Sequence, residues 1–259
     1  MSSRHPTIDI NIFMNHCAPS IDGLPVFATT KGVLEYFSKD RFAAIRFFCD
    51  SEPFDLDNKG LISRLRSELN FKFEFYRTAG LADGYAQAIR ASTAEYLFQL
   101  EHDWSFIAGG VTHSLETIIS AMELTQIPYL RFNQRANFNA HDETLAEFES
   151  AIVPMCATTM FSNNPHILNR QLATELYLPY ISTERGRSAG VEENLTARYR
   201  AGWIYGPLGY PATIQHTDGK NATRTWRRAS QINRVILGLK KYRRRISRRI
   251  GLIRYGRLH

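Results

Sequence analysis

Two carboxylates, Glu101 and Asp103, follow directly on a run of apolar residues in the segment YLFQLEHDW (96–104). The run is almost continuously hydrophobic, which is typical of a strand buried on both faces of a parallel sheet. Open α/β sheets bind ligands just beyond the carboxyl ends of their strands. Two oxygen donors at such a place can hold a hard divalent cation that clamps a diphosphate. The sequence therefore predicts a reaction centre at these two acids.

The elements around this segment follow the βαβα order of an α/β sheet. Apolar runs bounded by turn residues predict strands, and apolar residues at steps of three and four predict helices. The predicted strands are 8–13, 43–49, 71–76, 96–100 and 128–132, and the predicted helices are 31–37, 59–69, 112–125 and 165–176. The strict alternation of the strand at 71–76 places it nearer the sheet edge, with one face less buried. The first half is expected to be a nucleotide-binding α/β unit.

This arrangement resembles the sugar-nucleotide-dependent glycosyltransferases of the GT-A fold, in particular the broad family 2. In those enzymes a helix with small residues packs on the sheet before a hydrophobic strand that ends in an Asp-x-Asp type metal motif. The corresponding residues here are Gly80, Ala82, Gly84, Ala86 and Ala88 on the helix and Glu101-x-Asp103 in the motif. The resemblance implies a mixed, mostly parallel sheet flanked by helices. It also implies Mn²⁺ or Mg²⁺ at Asp103, with Glu101 as a second ligand.

The same resemblance implies residues that bind the nucleotide-sugar donor. An acid after the second strand contacts the base or ribose in such enzymes, which points to Asp50, and an acid near the next helix start points to Asp83. The metal motif adds Glu101, His102 and Asp103 to this set. Asp50 and Asp83 also have a plainer interpretation, because an Asp in a turn or first helical turn commonly forms an Asx turn or a helix cap.

A second pair of acids, Glu192 and Glu193, follows a Gly/Ser stretch at 186–190 where a helix is predicted to begin. Inverting enzymes of the resembled family carry an acidic pair here, and its second member is the catalytic base, which points to Glu193. A base is needed because a neutral hydroxyl is a poor nucleophile and must lose its proton as the bond to the anomeric carbon forms. The alternative is that both acids simply complement the helix dipole.

Residues further along the chain complete the expected site. Related enzymes place a histidine on the metal or the diphosphate near the position of His216, although a lone histidine is often a surface residue. The segment 202–211 is dense in Gly, Pro and aromatic residues, which suits either a loop that forms an acceptor wall or one that packs on the core. The acceptor candidates are Trp104, Trp203, Tyr205 and Tyr210.

The charge of the chain is divided unevenly. Of its 259 residues, 32 are Lys or Arg and 25 are Asp or Glu, and residues 224–259 hold 13 of the bases and none of the acids. Residues 1–223 therefore carry 19 bases and 25 acids, a net charge of −6. We expect a catalytic domain over 1–223 and a basic amphipathic helix over 224–259. Residues 226–257 would lie on an anionic membrane surface, pack on the body or, less favourably, bind nucleic acid.

Several other classes of protein lack support. The three cysteines are far apart and outside any Cys-x-x-Cys pattern, so a disulfide framework or structural zinc site is not indicated. No secretory leader or spanning segment is evident, and neither a P-loop nor Gly-x-Gly-x-x-Gly is present. The resemblance instead implies an inverting glycosyltransferase that transfers a sugar to a glycan or lipid-linked hydroxyl. We expect it to be cytoplasmic and, if the tail binds there, to be brought to the inner face of a membrane. The alternatives are a non-enzymatic adaptor acting through the tail and, third, a nucleotidyltransferase.

Overall fold

The first half of the chain forms four parallel strands with helices between them. The computed structural model describes residues 6–14, 25–49, 60–69, 71–181 and 190–217. Asp50 and the basic tail lie outside these residues. The elements of this half are β1 (Ile8–Met14), α1 (Pro25–Tyr36), β2 (Ala44–Cys49), α2 (Leu61–Leu69), β3 (Phe73–Arg77), α3 (Leu81–Ala91) and β4 (Tyr96–Glu101). The predicted βαβα order is confirmed.

Helix α3 packs closely on the sheet because its facing residues are small. A Cβ atom on Gly84 would lie 3.1 Å from the ring of Phe13 and 3.5 Å from the Cβ of Phe48. Ala82, Ala86 and Ala88 are buried on the same helix. This close approach brings the helix against the carboxyl ends of β1 and β2, as the small residues of the sequence predict.

The second half adds shorter elements in a less regular order. They are β5 (Trp104–Phe106), α4 (Leu115–Thr125), β6 (Tyr129–Arg131), β7 (Leu145–Phe148), β8 (Met155–Thr158), β9 (His166–Asn169), α5 (Arg170–Leu172, continued by further helical turns to Tyr180), α6 (Glu192–Tyr199), β10 (Gly202–Tyr205) and β11 (Ile214–His216). No helix within the described ranges is long and apolar enough to cross a membrane.

One mixed sheet carries nine of the described strands, in the order β3-β2-β1-β4-β9-β6-β10-β8-β7. The first four are parallel, β9 runs antiparallel between β4 and β6, and β10 pairs parallel with β6. Strand β3 is the edge strand on one side and its residues are only partly buried, as its alternation predicts. Strands β5 and β11 form a separate antiparallel pair.

Two predictions in the second half are wrong in part. The helix predicted over 165–176 begins only at Arg170, because His166–Asn169 is strand β9, buried between β4 and β6. Pro165, taken as a residue of a helix start, instead precedes a strand, and its carbonyl accepts a hydrogen bond from Phe132 N–H. The segment 202–211 is not all loop, since Gly202–Tyr205 is strand β10.

The two faces of the sheet bury separate apolar clusters. One face packs the aliphatic and aromatic residues of the strands against α1 and α4, and includes Ile12, Phe47 and Phe98. The other face packs against α3, the helical stretch that begins with α5, and α6, and includes Phe13, Tyr85 and Leu97. Burial on both faces explains why β1, β2 and β4 are nearly continuous apolar runs.

Candidate functional site at the carboxyl end of β4

Asp103 lies in a tight turn that begins where β4 ends and leads into β5. The His102 N–H donates to the Phe13 carbonyl at 3.0 Å, which continues the pairing of β1 and β4 by one residue. The Thr29 hydroxyl of α1 contacts the carbonyls of His102 and Trp104 at 2.8 and 2.9 Å. The turn is therefore held by two neighbouring elements, and the position of Asp103 is fixed by the backbone.

His216 reaches Asp103 because β11 pairs with β5. The register places His216 opposite Trp104, and the imidazole Nε2 lies 3.1 Å from Asp103 Oδ2. The imidazole and the Trp104 ring meet edge to face, with centroids 4.7 Å apart. Thr217 donates from both its N–H and its hydroxyl to the Asp103 carbonyl at 2.7 Å. Two predicted metal ligands that are distant in sequence are thus side by side.

The donor atoms at this turn fit a divalent cation. Asp103 is buried, and its Oδ1 atom has no hydrogen-bond partner among the described residues. The described ranges contain no group of three or more His, Cys, Asp or Glu residues that could hold a metal. A cation that binds a nucleotide commonly takes only one or two carboxylates from the protein, because phosphates and water supply the rest. Asp103 and His216 are consistent with such a site.

Glu101, the last residue of β4, is a partly buried acid with a perturbed carboxyl. Burial raises the pKa of this carboxyl to about 7, and the charges of Asp103 and Glu192 act in the same direction. The hydroxyl of Tyr85 lies in the same region, where burial and then the charge of Glu101 raise its pKa well above the usual value. Carboxylates that lie close together repel each other. They therefore favour a bound cation, which removes this repulsion.

Glu192 and Glu193 open helix α6, as predicted, and both line a cavity of about 550 Å³. Glu192 accepts a hydrogen bond from the Asn163 N–H, whereas Glu193 is exposed. Asp103 does not line this cavity. Glu192 links the cavity to the turn at the end of β4, because it lines the cavity and its charge acts on Glu101.

A charge cluster that sequence reasoning missed forms another wall of this cavity. Glu143 is buried between two arginines: its Oε1 contacts Arg131, and its Oε2 lies 2.8 Å from Arg135 Nη2. Burial acts to raise the pKa of Glu143, but the charge of Arg131 and hydrogen bonds from Thr158 and Arg135 outweigh it, so this pKa is lowered. We call Arg131, Arg135 and Glu143 the basic wall. An arginine inside the apolar strand at 128–132 was the one local signal for it.

The remaining predicted residues have structural contacts of their own. Asp83 accepts hydrogen bonds from the Ala79 N–H at 2.8 Å and from the Gln87 amide at 2.9 Å, which is a capping arrangement. His102 is buried beneath the turn. Asp50 lies outside the described residues.

The aromatic acceptor candidates lie mostly in the core. Trp104 and Tyr205 are buried, and the Tyr205 hydroxyl lies 2.7 Å from His113 Nδ1. Trp203 packs on Phe148, and the Tyr210 hydroxyl donates to the Gly110 carbonyl. Burial leaves the rings of Trp104 and Tyr205 little surface for a ligand, so the packing alternative fits these two residues better.

Solved structures share this fold, although the sequence alone finds no relatives. No protein-family model and no curated protein matches the chain. GalNAc-T7 with UDP, GalNAc and Mn²⁺ aligns with a TM-score of 0.57 at 9% identity, over 84% of this chain and 45% of that one. TarS 1–349 of S. aureus aligns with a TM-score of 0.53 at 13% identity, over 83% of this chain and 61% of that one.

A third structure extends the likeness to a mannosyltransferase. PcManGT from Pyrobaculum calidifontis, in complex with GDP-Man and Mn²⁺, aligns with a TM-score of 0.50 at 10% identity, over 80% of this chain and 56% of that one. The chain thus spans about half the length of the structures it matches. The described residues have the GT-A fold, as the resemblance in the sequence implies.

Proposed function

We propose that the chain is an inverting glycosyltransferase that moves a sugar from a nucleotide-diphosphate sugar to a hydroxyl acceptor. The observation that carries this proposal is the pairing of Asp103 with His216 at the carboxyl end of β4, with Oδ1 of Asp103 left without a partner in the described structure. Ligand sites of open α/β sheets lie at this end of the strands. Two of the structures with the same fold contain a nucleotide or nucleotide sugar together with Mn²⁺.

Asp103 and His216 would hold Mn²⁺ or Mg²⁺, and Glu101 would lie behind them. When bound, such a cation offsets the negative charge that develops on the departing diphosphate. The turn that carries Asp103 is held by Thr29, Phe13 and Thr217, so its carboxylate is oriented before any ligand arrives. Orientation in advance is what makes an electrostatic contribution effective, because no reorganisation is needed during the reaction.

Glu193 is our candidate for the base that accepts the proton of the acceptor hydroxyl. It lies at the first turn of α6, is exposed and lines the cavity, whereas Glu192 is already bonded to the Asn163 N–H. The acceptor oxygen forms the bond to the anomeric carbon, and its proton passes to the carboxylate. The bond from that carbon to the diphosphate oxygen breaks, and the diphosphate keeps the electron pair. A single displacement of this kind inverts the configuration at the carbon.

A membrane-linked acceptor is a further part of the proposal. Residues 226–257 lie outside the described structure, and their sequence combines an apolar stripe with many basic residues. Such a segment binds anionic bilayers, with about 1 kcal/mol for each basic residue near the surface. It would bring the catalytic domain to a lipid-linked or surface glycan. Nucleic acid is the less favoured partner for the same charges.

Turnover of sugar nucleotides tests the proposal. UDP- and GDP-sugars are incubated with the full chain and Mn²⁺, and release of the nucleoside diphosphate is measured with and without chelator. We expect metal-dependent turnover that falls by about 10²–10³-fold in Asp103→Asn with the thermal unfolding temperature nearly unchanged. Asp40→Asn, which removes an acid from the short helical turn before β2, is the matched control.

Two results would count against the proposal. Full activity in excess chelator would contradict the role of the cation. An absence of turnover and of binding with every sugar nucleotide would favour the adaptor function, in which Asp103→Asn has no effect and the tail carries the activity.

A further inference from the structure

The cavity beside Glu193 has a charge pattern that a neutral sugar does not need. Its lining contains both Glu192 and Glu193, at the start of α6, and the basic wall. In that wall both oxygens of Glu143 are engaged by arginines, so its single negative charge is shared between two positive ones. The three side chains together therefore carry an excess positive charge.

Arg131 is the centre of the wall and lacks part of its hydrogen bonding. Its side chain is 3% exposed, and it contacts Glu143 through Nη2. Its Nε atom is buried with no hydrogen-bond partner in the described part of the chain. A buried guanidinium donor without an acceptor is unfavourable, and the planar fork of arginine suits the two oxygens of a carboxylate or phosphate. Arg131 lines the cavity, so its positive charge acts on any ligand bound there.

The cavity lining contains further charged residues besides the basic wall and the two acids of α6. Arg135 has a half-exposed side chain, and Arg200, the left-handed residue that ends α6, lines the cavity as well. Asp142 is an exposed acid of the lining, next to Glu143 in sequence. The lining thus holds three arginines and four acids, and the buried cation among them is Arg131. A ligand that bridges the two would present a hydroxyl to Glu193 and an anion to Arg131.

We propose that the acceptor is an anionic saccharide, bearing a carboxylate or a phosphate that binds Arg131 and Arg135. This inference rests on the proposed function, because it names the substrate class of the same site. The anion would also hold the acceptor in one orientation, since a carboxylate or phosphate can accept two parallel hydrogen bonds from one guanidinium. A neutral sugar would leave the excess positive charge of the basic wall without an anionic partner.

Binding to the full chain tests the proposal without any need for turnover. The probes are glucuronate and glucose 6-phosphate, with glucose as the neutral counterpart, and the affinities are measured by titration calorimetry or ligand-detected NMR. We expect at least one anionic probe to bind about tenfold or more tightly than glucose, which corresponds to about 1.4 kcal/mol. Selective binding of glucuronate identifies a carboxylate acceptor, and selective binding of glucose 6-phosphate identifies a phosphate acceptor.

Arg135→Gln is the main variant because it leaves the buried pair of Arg131 and Glu143 in place. It should reduce anionic binding about tenfold and leave glucose binding unchanged. Arg131→Lys keeps the charge but removes the fork, and should weaken anionic binding as well. Arg198→Gln removes a charge from α6 outside the cavity lining and serves as the control, with no expected effect.

The outcomes separate this proposal from the function it rests on. Equal affinity for the anionic probes and glucose, no binding of either anionic probe at millimolar concentration, or anionic binding that survives Arg135→Gln would each overturn it. If sugar-nucleotide turnover occurs but the anionic preference is absent, the acceptor class is wrong and the transferase function stands. If Arg135-dependent anionic binding occurs without any turnover, the saccharide site stands and the transferase function fails.

Discussion

The two halves of the sheet each bury an arginine in a charge cluster, and the two clusters differ in their balance of charge. In the parallel half, Arg46 lies between two acids: one of its terminal nitrogens contacts Asp9, and its Nε lies 3.0 Å from Glu74 Oε2. Asp9 also accepts from the Ser92 hydroxyl, and Glu74 accepts from the Tyr76 hydroxyl. Lys72 Nζ also lies 3.4 Å from Glu74 Oε1, so this cluster has two bases and two acids, and each member has a partner.

In the mixed half the charges of the cluster do not balance. Glu143 lies between Arg131 and Arg135, so one acid serves two bases, and the Arg131 Nε has no partner in the described residues. This cluster lines a cavity, whereas the cluster of Arg46 does not line it. A buried charge cluster whose members all have partners is thus explained by the fold alone. A cluster with an excess positive charge beside a cavity favours an anionic ligand.

The same division separates the chemistry proposed for the two halves. The parallel half leads into Asp103, which would serve the donor, and the mixed half contributes Glu193 and the basic wall, which would serve the acceptor. If this division holds, a substitution at the donor side should leave acceptor binding measurable, and a substitution at the acceptor side should leave donor binding measurable. Variants on each side therefore test the comparison directly.

The most damaging substitution should be Glu193→Gln, through its effect on transfer. The amide cannot accept the acceptor proton, so we expect the transfer rate to fall by about 10³-fold, which is equivalent to about 4 kcal/mol. Binding of the sugar nucleotide should stay within about twofold, because the donor lies on the other side of the division. The measurements are single-turnover transfer and donor titration.

Glu192→Gln is the matched control for that experiment. The amide oxygen introduced at this position can still accept from the Asn163 N–H, so transfer should fall far less than in Glu193→Gln. If Glu193→Gln weakens donor binding but leaves turnover normal, the base is misassigned and the division of the site is wrong.

The next substitution concerns stability and the parallel half. Arg46→Met would leave Asp9, which is 2% exposed, without its cationic partner. Loss of one partner of a buried pair costs about 3–5 kcal/mol, and we expect a decrease of that size in the free energy of unfolding. Urea denaturation measures it. Arg135→Gln, at a half-exposed position, should cost less than about 1 kcal/mol.

Arg46→Met, the less stable of these two variants, should bind anionic saccharides better than Arg135→Gln does. Folded Arg46→Met should bind anionic saccharides as the parent does, whereas Arg135→Gln should bind them more weakly. A stability loss below about 1 kcal/mol for Arg46→Met would show that the parallel cluster is not structural and would remove the contrast between the halves.

The two halves also differ in how well their strands could be predicted from the sequence. The strands β1, β2 and β4 are long, buried on both faces and bounded by turn residues, so their apolar runs are strong local signals. The strands of the mixed half have three or four residues, and Pro165 beside β9 imitates a helix start. Short strands gain their stability from neighbours distant in sequence, which no local pattern records.

The site follows the same rule. Asp103 was a candidate because an acid after a buried strand is unusual, whereas His216, which contacts it, was a candidate only through the family resemblance. The Glu143 side chain gives no local signal, because it stands in the polar stretch HDET and is buried only through its arginine partners. Arg131 was visible as a charge within an apolar strand, but its partner 12 residues away was not.

A further effect belongs to the seam between the halves, where His166 of β9 lies opposite Gln99 on one side and Arg131 on the other. Burial, together with the charge of Arg131, lowers the pKa of His166 to about 4, although the hydrogen bond to the Asn164 carbonyl acts against this. The ordinary value for the unfolded chain is 6.5. The unfolded chain therefore binds the proton first as the pH falls.

It follows that this stabilising contribution is complete above about pH 6.5 and is lost as the pH falls towards about 4. At 1.36 kcal/mol for each unit of pKa, the loss is up to about 3 kcal/mol. His166→Gln can still donate to Asn164 but does not titrate, so its free energy of unfolding should change less over this range. Urea denaturation at several pH values measures the slope, and His141→Gln, at an exposed position, should retain the parent slope. Equal slopes of the free energy of unfolding against pH for His166→Gln and the parent would mean that the fold does not keep His166 neutral. The charge of Arg131 would then have no effect on this histidine.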